Sequence, residues 1–361
     1  MKSEFLEFYH PDEEDLLSIK ADAVFMFDSC ALLNLYKSSA KGRSNVLKII
    51  SKLSEQGRIW QPHQFCYEYQ QHRQEVIKTE VNNYADILKD VERYFKDLDK
   101  VTMKISFPKH PLVKMENLIR DIKNGHKNAL KENILKIGNL KNKHPDWSKK
   151  DPIQEKLTTL FSNKIGRGYT DEELDAKYSE GETRYKKFKP PGYMDAEKDK
   201  DDITKKKKYG DLIAWFQILD KAKELQKPIV LVSDDLKEDW WRMDKKKNRH
   251  GPRKELVKEM YSKTGVFFHM MDTEDLLLFA GENLQLKISK KTIEDIKEVK
   301  KLIQDEKEKE SNMEDASPLI NNAIETSSET GQEIVGTANL AADLSDLNKK
   351  DDLNKLPEDQ V

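Results

Sequence analysis

The sequence predicts an α/β fold built on a central, mostly parallel sheet, and three observations predict it. Apolar runs of strand length occur at Ala23 to Phe27, Arg58 to Gln61, Pro228 to Val232 and Gly265 to Met270. Three of these runs are almost unbroken in hydrophobicity, as strands covered by helices on both faces have to be. The stretches between them carry apolar residues at helical spacing. Ligands of such sheets sit beyond the carboxyl ends of the strands, which is where Asp28 and the pair Asp234, Asp235 fall.

Taken in order, the first run ends in "VFMFDSCALLNLY", an acid set between two apolar stretches. A charge in that position is costly unless something pairs with it. Asp28 can cap a helix beginning at Ala31 or Leu32. After the second run, "HQFCYEYQQHR" places Glu68 one helical turn beyond Gln64, where a solvent-exposed glutamate is the plainest account. From Gln61 to Pro228 no strand signal recurs, far too long for an ordinary crossover, so a helical insertion is expected. Ile77, Val81, Tyr84, Leu88, Val91, Phe95 and Leu98 form a lengthwise seam, broken by Pro108 and Pro111. Ile119, Ile122, Leu130, Ile134 and Ile137 follow, which suggests an antiparallel helical hairpin. "KYGDLIAWFQIL" then sets Asp211 at the start of an apolar helix, where an acid suits the helix dipole. In "VLVSDDLKEDWW" Asp235 and Glu238 have capping-box spacing, which leaves Asp234 unexplained. Strand signals stop near Lys287, and beyond Asn312 the chain turns polar and lacks aromatics, the composition of a disordered tail.

Composition narrows the classes. The charged fraction of 36% is high, yet 64 Lys+Arg balance 66 Asp+Glu, so nucleic-acid binding would have to use local patches. The start lacks the pattern of a signal peptide, and no apolar run spans a bilayer. Cys30 and Cys66, the only cysteines, suit reduced thiols better than a disulfide framework. A cytoplasmic protein is expected.

Each acid has a structural account of its own, but two of them end predicted strands and two lie in the flanking helices. A cluster is therefore expected. Carboxylates packed together raise one another's pKa or recruit a cation, and an all-oxygen set selects a hard ion such as Mg²⁺ or Mn²⁺. His63 and Cys66 lack the second pair that a zinc site needs. No P-loop, dinucleotide fingerprint or serine-hydrolase elbow is present. Cys30 stands where an aspartyl-phosphate enzyme would want a second acid.

The segments "FDSCALLNLY", "IWQPHQFCYE", "GRGYTDEELDAKYSEGETRYKKFKPPGYMD", "YGDLIAWFQIL", "VSDDLKEDWW" and "GPRKELVKE", in that order, resemble the PIN-like domains, metal-dependent nucleases, and in particular their large bacterial subgroup with a helical insertion. The resemblance runs from Phe5 to about Phe279. It implies a three-layer α/β/α fold whose mostly parallel sheet has about four to five strands. It divides the chain into a first part of the domain (1–75), a helical insertion (76–189), a second part (190–286) and a charged, helical to disordered tail (287–361). It implies catalytic acids at Asp28, Glu68, Asp211, Asp234 and Asp235. The Mg²⁺ or Mn²⁺ ligands would be Asp28, Glu68, Asp211 and Asp234, with Asp235 as the alternative to Asp234 and Asp195 as a further candidate. Cys30 departs from the Asn often found two residues after the first Asp. Cleavage would leave a 5′ phosphate and a 3′ hydroxyl, with Asp235 or Asp195 accepting the proton of the attacking water.

Basic runs flank these motifs: Lys205 to Lys208, Arg242 to Lys254, and Lys186, Lys187 and Lys189. Lys205, Lys206, Arg242 and Arg253 are the expected phosphate contacts, and Trp240 and Trp241 have the chemistry of a stacking surface, with core packing the expected place of at least one of them. Single-stranded RNA is the substrate the resemblance favours over DNA. Two other functions fit the same residues: a catalytically silent domain that binds nucleic acid or protein, and a metal-dependent phosphohydrolase of small nucleotides. A protein partner would use the helical insertion or the tail, where "EIVGTANLAADL" has the pattern of a short recognition helix.

Overall fold

In a computed structural model of the chain, residues 1, 4–9, 11–104, 114–196, 206–245 and 248–301 are described. The expected tail beyond residue 301, the helix break at Pro108 and Pro111, and Lys205 lie outside them. Residues Met1–Lys300 form one unit, and of the second, Lys301–Val361, only the first residue is described.

The three apolar runs become β1 (Val24–Phe27), β2 (Ile229–Val232) and β5 (Phe268–Met271). They form a wholly parallel sheet in the order β1-β2-β5, with Val24 opposite Ile229 and Ile229 opposite Phe268. Their hydrophobicity is continuous because both faces are covered. Phe25, Phe27, Val230 and Val232 enter one apolar cluster, shared with α2 (Ser29–Lys37), α3 (Ala40–Glu55), α6 (Pro152–Leu160) and α10 (Thr273–Asn283). Val24, Met26, Ile229 and Leu231 enter the other, shared with α8 (Gly210–Leu225) and α9 (Lys254–Thr264). These are the three layers expected of the fold.

The sheet has three strands among the described residues, fewer than the four to five expected, and the Arg58–Gln61 run accounts for the difference. Ile59 makes a single parallel bridge to Phe25, with Phe25 N–H donating to Arg58 O at 2.8 Å and Trp60 N–H to Phe25 O at 3.1 Å. One step further, side chain replaces backbone. Phe27 N–H donates to Gln61 Oε1 at 3.0 Å, and Gln61 Nε2 donates back to Phe27 O. The Gln61 backbone is thereby released to bridge Ile165 instead, and Pro62 has no N–H with which to continue. A second, antiparallel pair, β3 (Trp241–Met243) and β4 (Arg249–Pro252), occupies a stretch that the sequence shows only as a basic run.

Helix α4 (His63–Lys104) runs unbroken from the site region outward, and α5 (Lys114–Lys143) returns beside it. Tyr84 meets His144 (5.4 Å between ring centroids) and Phe95 meets His126 (6.4 Å), so the two helices are antiparallel. Helix α7 (Asp171–Lys186) starts in a capping box between Thr170 and Glu173.

Candidate active site

β1 ends at Phe27 and α2 begins at Ser29, so Asp28 occupies the junction and caps the helix, two or three residues earlier than the sequence suggested. Its carboxylate is only 5% exposed. Oδ2 accepts from Ser233 Oγ at 2.6 Å and Cys30 Sγ at 3.1 Å, and Oδ1 from Cys30 N–H at 3.4 Å. All of these donors are neutral. Burial, followed by the charges of Asp211 and Asp235, pushes the Asp28 carboxyl up to about 6.

Glu68 stands on the second turn of α4 and is partly buried, not the exposed surface residue that its sequence context allows. Gln64 Nε2, one turn earlier, donates to its Oε1 at 2.9 Å. Ser29 Oγ lies 3.0 Å from Glu68 Oε2 and 3.1 Å from Asp28 Oδ1, so one hydroxyl proton is shared between two carboxylates. Burial and the nearby Asp211 raise Glu68 to about 7. Close approach here depends on glycine: a Cβ at Gly210 would collide with Glu68 Oε1, and one at Gly192 (φ +89°) would strike the Tyr185 hydroxyl and come 3.3 Å from Asp211 Cβ.

Asp211, in the first turn of α8, faces a group the sequence reading missed. Lys237 Nζ lies 3.1 Å from Asp211 Oδ2, 2.8 Å from Asp195 Oδ2 and 3.3 Å from Asp235 Oδ2. Burial opposes the lysine's charge, but Asp211, Asp235 and Asp195 outweigh it and hold the ammonium well above the ordinary lysine range. Asp239 is a second omission. It is fully buried, its Oδ2 accepts from Gly192 N–H at 2.8 Å and Met194 N–H at 3.3 Å, and its Oδ1 has no partner among the described residues. Burial and Asp211 raise it to about 6. Both residues stand in "DDLKEDWW", whose alternation of acid and lysine around a strand end was the available signal.

The two neighbouring aspartates after β2 diverge. Asp235 turns to Lys237 and adds its charge to that felt by Asp28, while Asp234 points the other way. Asp234 accepts from Asn34 Nδ2 at 3.0 Å, Thr273 N–H at 2.9 Å and Thr273 Oγ1 at 2.8 Å, tying β2 to α2 and to the start of α10. The capping box read at Asp235 and Glu238 does not form, because residues 233–240 are loop and turn. Cys30 meets Asp28 with a thiol. Burial and the charges of Asp28, Asp235 and Asp234 hold its pKa well above the usual value, so it stays a donor to Asp28.

The expected substrate contacts fare differently. Lys206 is exposed, 5.0 Å above the Tyr178 ring and 3.5 Å from Asp175. Arg242 donates to His250 O at 2.6 Å. Arg253 is engaged with Glu255, Glu238 O and the Tyr193 hydroxyl. Trp240 and Trp241 offer no stacking surface: they are 1% and 2% exposed, Trp240 edge-on to Trp215 and Trp241 donating to Asp235 O at 2.7 Å.

A sequence model of the family described as "PIN like domain" matches residues 24–256, more than half of the chain. The chain belongs to the PIN-like domain family. No curated protein and no solved structure matches it. PIN-like domains have a nuclease-type fold, bind nucleic acids and typically use divalent metals. In this PIN-like domain the donor chemistry fits such a cation: every side chain of the acid group offers oxygen, and among the described residues Asp28 and Glu68 are met only by neutral donors and Asp239 Oδ1 lacks a partner. As the side chains stand, however, no three His, Cys, Asp or Glu among the described residues are placed to hold a metal ion. Among those residues no helix is long and apolar enough to cross a membrane.

Proposed function

We propose that this chain is a metal-dependent nuclease that hydrolyses phosphodiester bonds, with single-stranded RNA as its polymer. The observation that carries the reading is the meeting of Asp28, Glu68, Asp211 and Asp235, from four separated parts of the sequence, at the carboxyl edge of the sheet. Burial first, and then the charges of their neighbours, raise Asp28 to about 6 and Glu68 to about 7, an arrangement without structural benefit in the absence of a cation.

Asp28, Glu68 and Asp211 would hold Mg²⁺ or Mn²⁺, with Asp235 and Asp195 at the other side of the group. When bound, such an ion neutralises charge on the phosphodiester and makes water more acidic. Ser29 and Gln64 orient the Glu68 carboxylate, and Asp235 or Asp195 would take a proton from water as general base. Asp234 is assigned to positioning, since its oxygens are committed to Asn34 and Thr273. Lys206 and its neighbours Lys207 and Lys208, just before α8, provide positive charge for the phosphate backbone. The two free cysteines accord with a cytoplasmic setting, and the α4–α5 hairpin is the surface for any protein partner.

The test is cleavage of labelled single-stranded RNA and DNA with Mn²⁺, Mg²⁺ or EDTA, by the wild type and by Asp28→Asn. Metal-dependent RNA cutting that disappears in the folded variant is expected. Folded protein that cuts neither polymer defeats the proposal. Binding that weakens steeply with salt marks a polymer substrate, because a small nucleotide releases few counterions.

A further inference from the structure

The acid group is divided by charge into two halves. On one side Asp28 and Glu68 share Ser29 and, among the described residues, receive hydrogen bonds only from neutral groups. On the other, Asp195, Asp211 and Asp235 each place a carboxylate oxygen within 2.8 to 3.3 Å of Lys237 Nζ. Lys237 is no loose surface lysine, its side chain being 21% exposed. Asp235 holds it at both ends, Oδ1 taking its backbone N–H at 3.3 Å and Oδ2 its ammonium at 3.3 Å. Its loop is anchored by the buried Trp240 and by Trp241, whose indole N–H donates to Asp235 O.

We propose that Lys237 is the built-in second cation of this site, so that the chain loads a single divalent ion beside Asp28 and Glu68 rather than a pair. The inference rests on the metal-dependent reading above. The group of five carboxylates is satisfied on one side by an ammonium fixed to the protein. A second divalent ion would have to displace that ammonium from three carboxylates at once, leaving a buried lysine without counter-charge.

The experiment counts Mn²⁺ bound per chain, by titration calorimetry and by the electron paramagnetic resonance signal of free Mn²⁺, on the full chain stripped with EDTA. The wild type should bind one ion, and Lys237→Arg, which keeps the charge, should also bind one. Lys237→Met should bind two, and Asp28→Asn should bind none over the range that saturates the wild type. A wild type that binds two ions overturns the inference, as does a folded Lys237→Met that still binds one. Should Lys237→Met not fold, Lys237→Gln carries the same test, and the wild-type count decides against the inference by itself if it is two. Failure of the wild type to bind any Mn²⁺ overturns the inference together with the metal-dependent reading, whereas one ion lost in Asp28→Asn and unchanged in Lys237→Met overturns the inference alone.

Discussion

Replacing Asp28 by Asn should stabilise the metal-free protein while abolishing its capacity for metal. The folded state raises the Asp28 carboxyl from 3.8 to about 6. At about 1.36 kcal/mol per pKa unit, holding the charged form in place costs about 3 kcal/mol. The sign follows from the direction of the shift. A raised carboxyl contributes stability that is complete below its unfolded value of 3.8 and lost as pH rises through about 6. Glu68, raised from 4.5 to about 7, adds a loss in the same direction over a slightly higher window. Asn cannot ionise, and Ser233, whose hydroxyl now donates to Oδ2, can turn and accept from the new amide. Allowing about 1 kcal/mol for an imperfect exchange of hydrogen bonds, Asp28→Asn should exceed the wild type by about 2 kcal/mol in EDTA near pH 8, on the order of 4 °C in Tm. The gap should close towards about pH 4. Mn²⁺ at a hundredfold excess over its Kd should then reverse the order, adding about 2.7 kcal/mol to the wild type and nothing to the variant. Thermal melts at the two pH values, with and without Mn²⁺, decide it. A variant less stable than the wild type in EDTA at high pH, or a gap independent of pH, refutes the account of Asp28 as a carboxylate held against its electrostatic preference.

Gly210→Ala should fold with stability changed by less than about 1 kcal/mol, because Ala favours the helix, yet bind Mn²⁺ about tenfold more weakly because its Cβ displaces the end of Glu68. Calorimetry beside a melt reads both effects. Asp234→Asn should leave Mn²⁺ affinity within about twofold of the wild type and lose about 1 to 2 kcal/mol in urea unfolding, since its oxygens serve Asn34 and Thr273. Glu259→Gln should cost about 3 to 5 kcal/mol, because it leaves the 3% exposed Arg184 guanidinium without the carboxylate that both its terminal nitrogens meet at 2.7 Å. Metal affinity of the folded fraction should not change.

The parallel sheet was legible because strands buried on both faces leave an unbroken apolar run, as Val24 to Phe27 and Ile229 to Val232 do. The acids at their ends were legible for the same reason: a carboxylate directly after such a run has few places to go. Glu68 and Asp211, which the sequence sets in flanking helices rather than at strand ends, come beside Asp28. The sequence could not show that a Gln61 side chain takes over the ladder beside Phe27, since nothing local distinguishes that glutamine from any other. Nor could it orient Asp234 and Asp235. Adjacent residues in a loop point apart, and which of them faces Asp28 depends on where Asn34 and Thr273 stand, in helices far off in sequence. Charge and hydrophobic period are properties of the chain itself, and they determined the class of fold and the acidic edge. The pairing of Lys237 with three carboxylates, the burial of both tryptophans and the opposite turns of two aspartates are relations across the chain. Only packing brings those partners within a few ångströms, so only the tertiary structure could decide them.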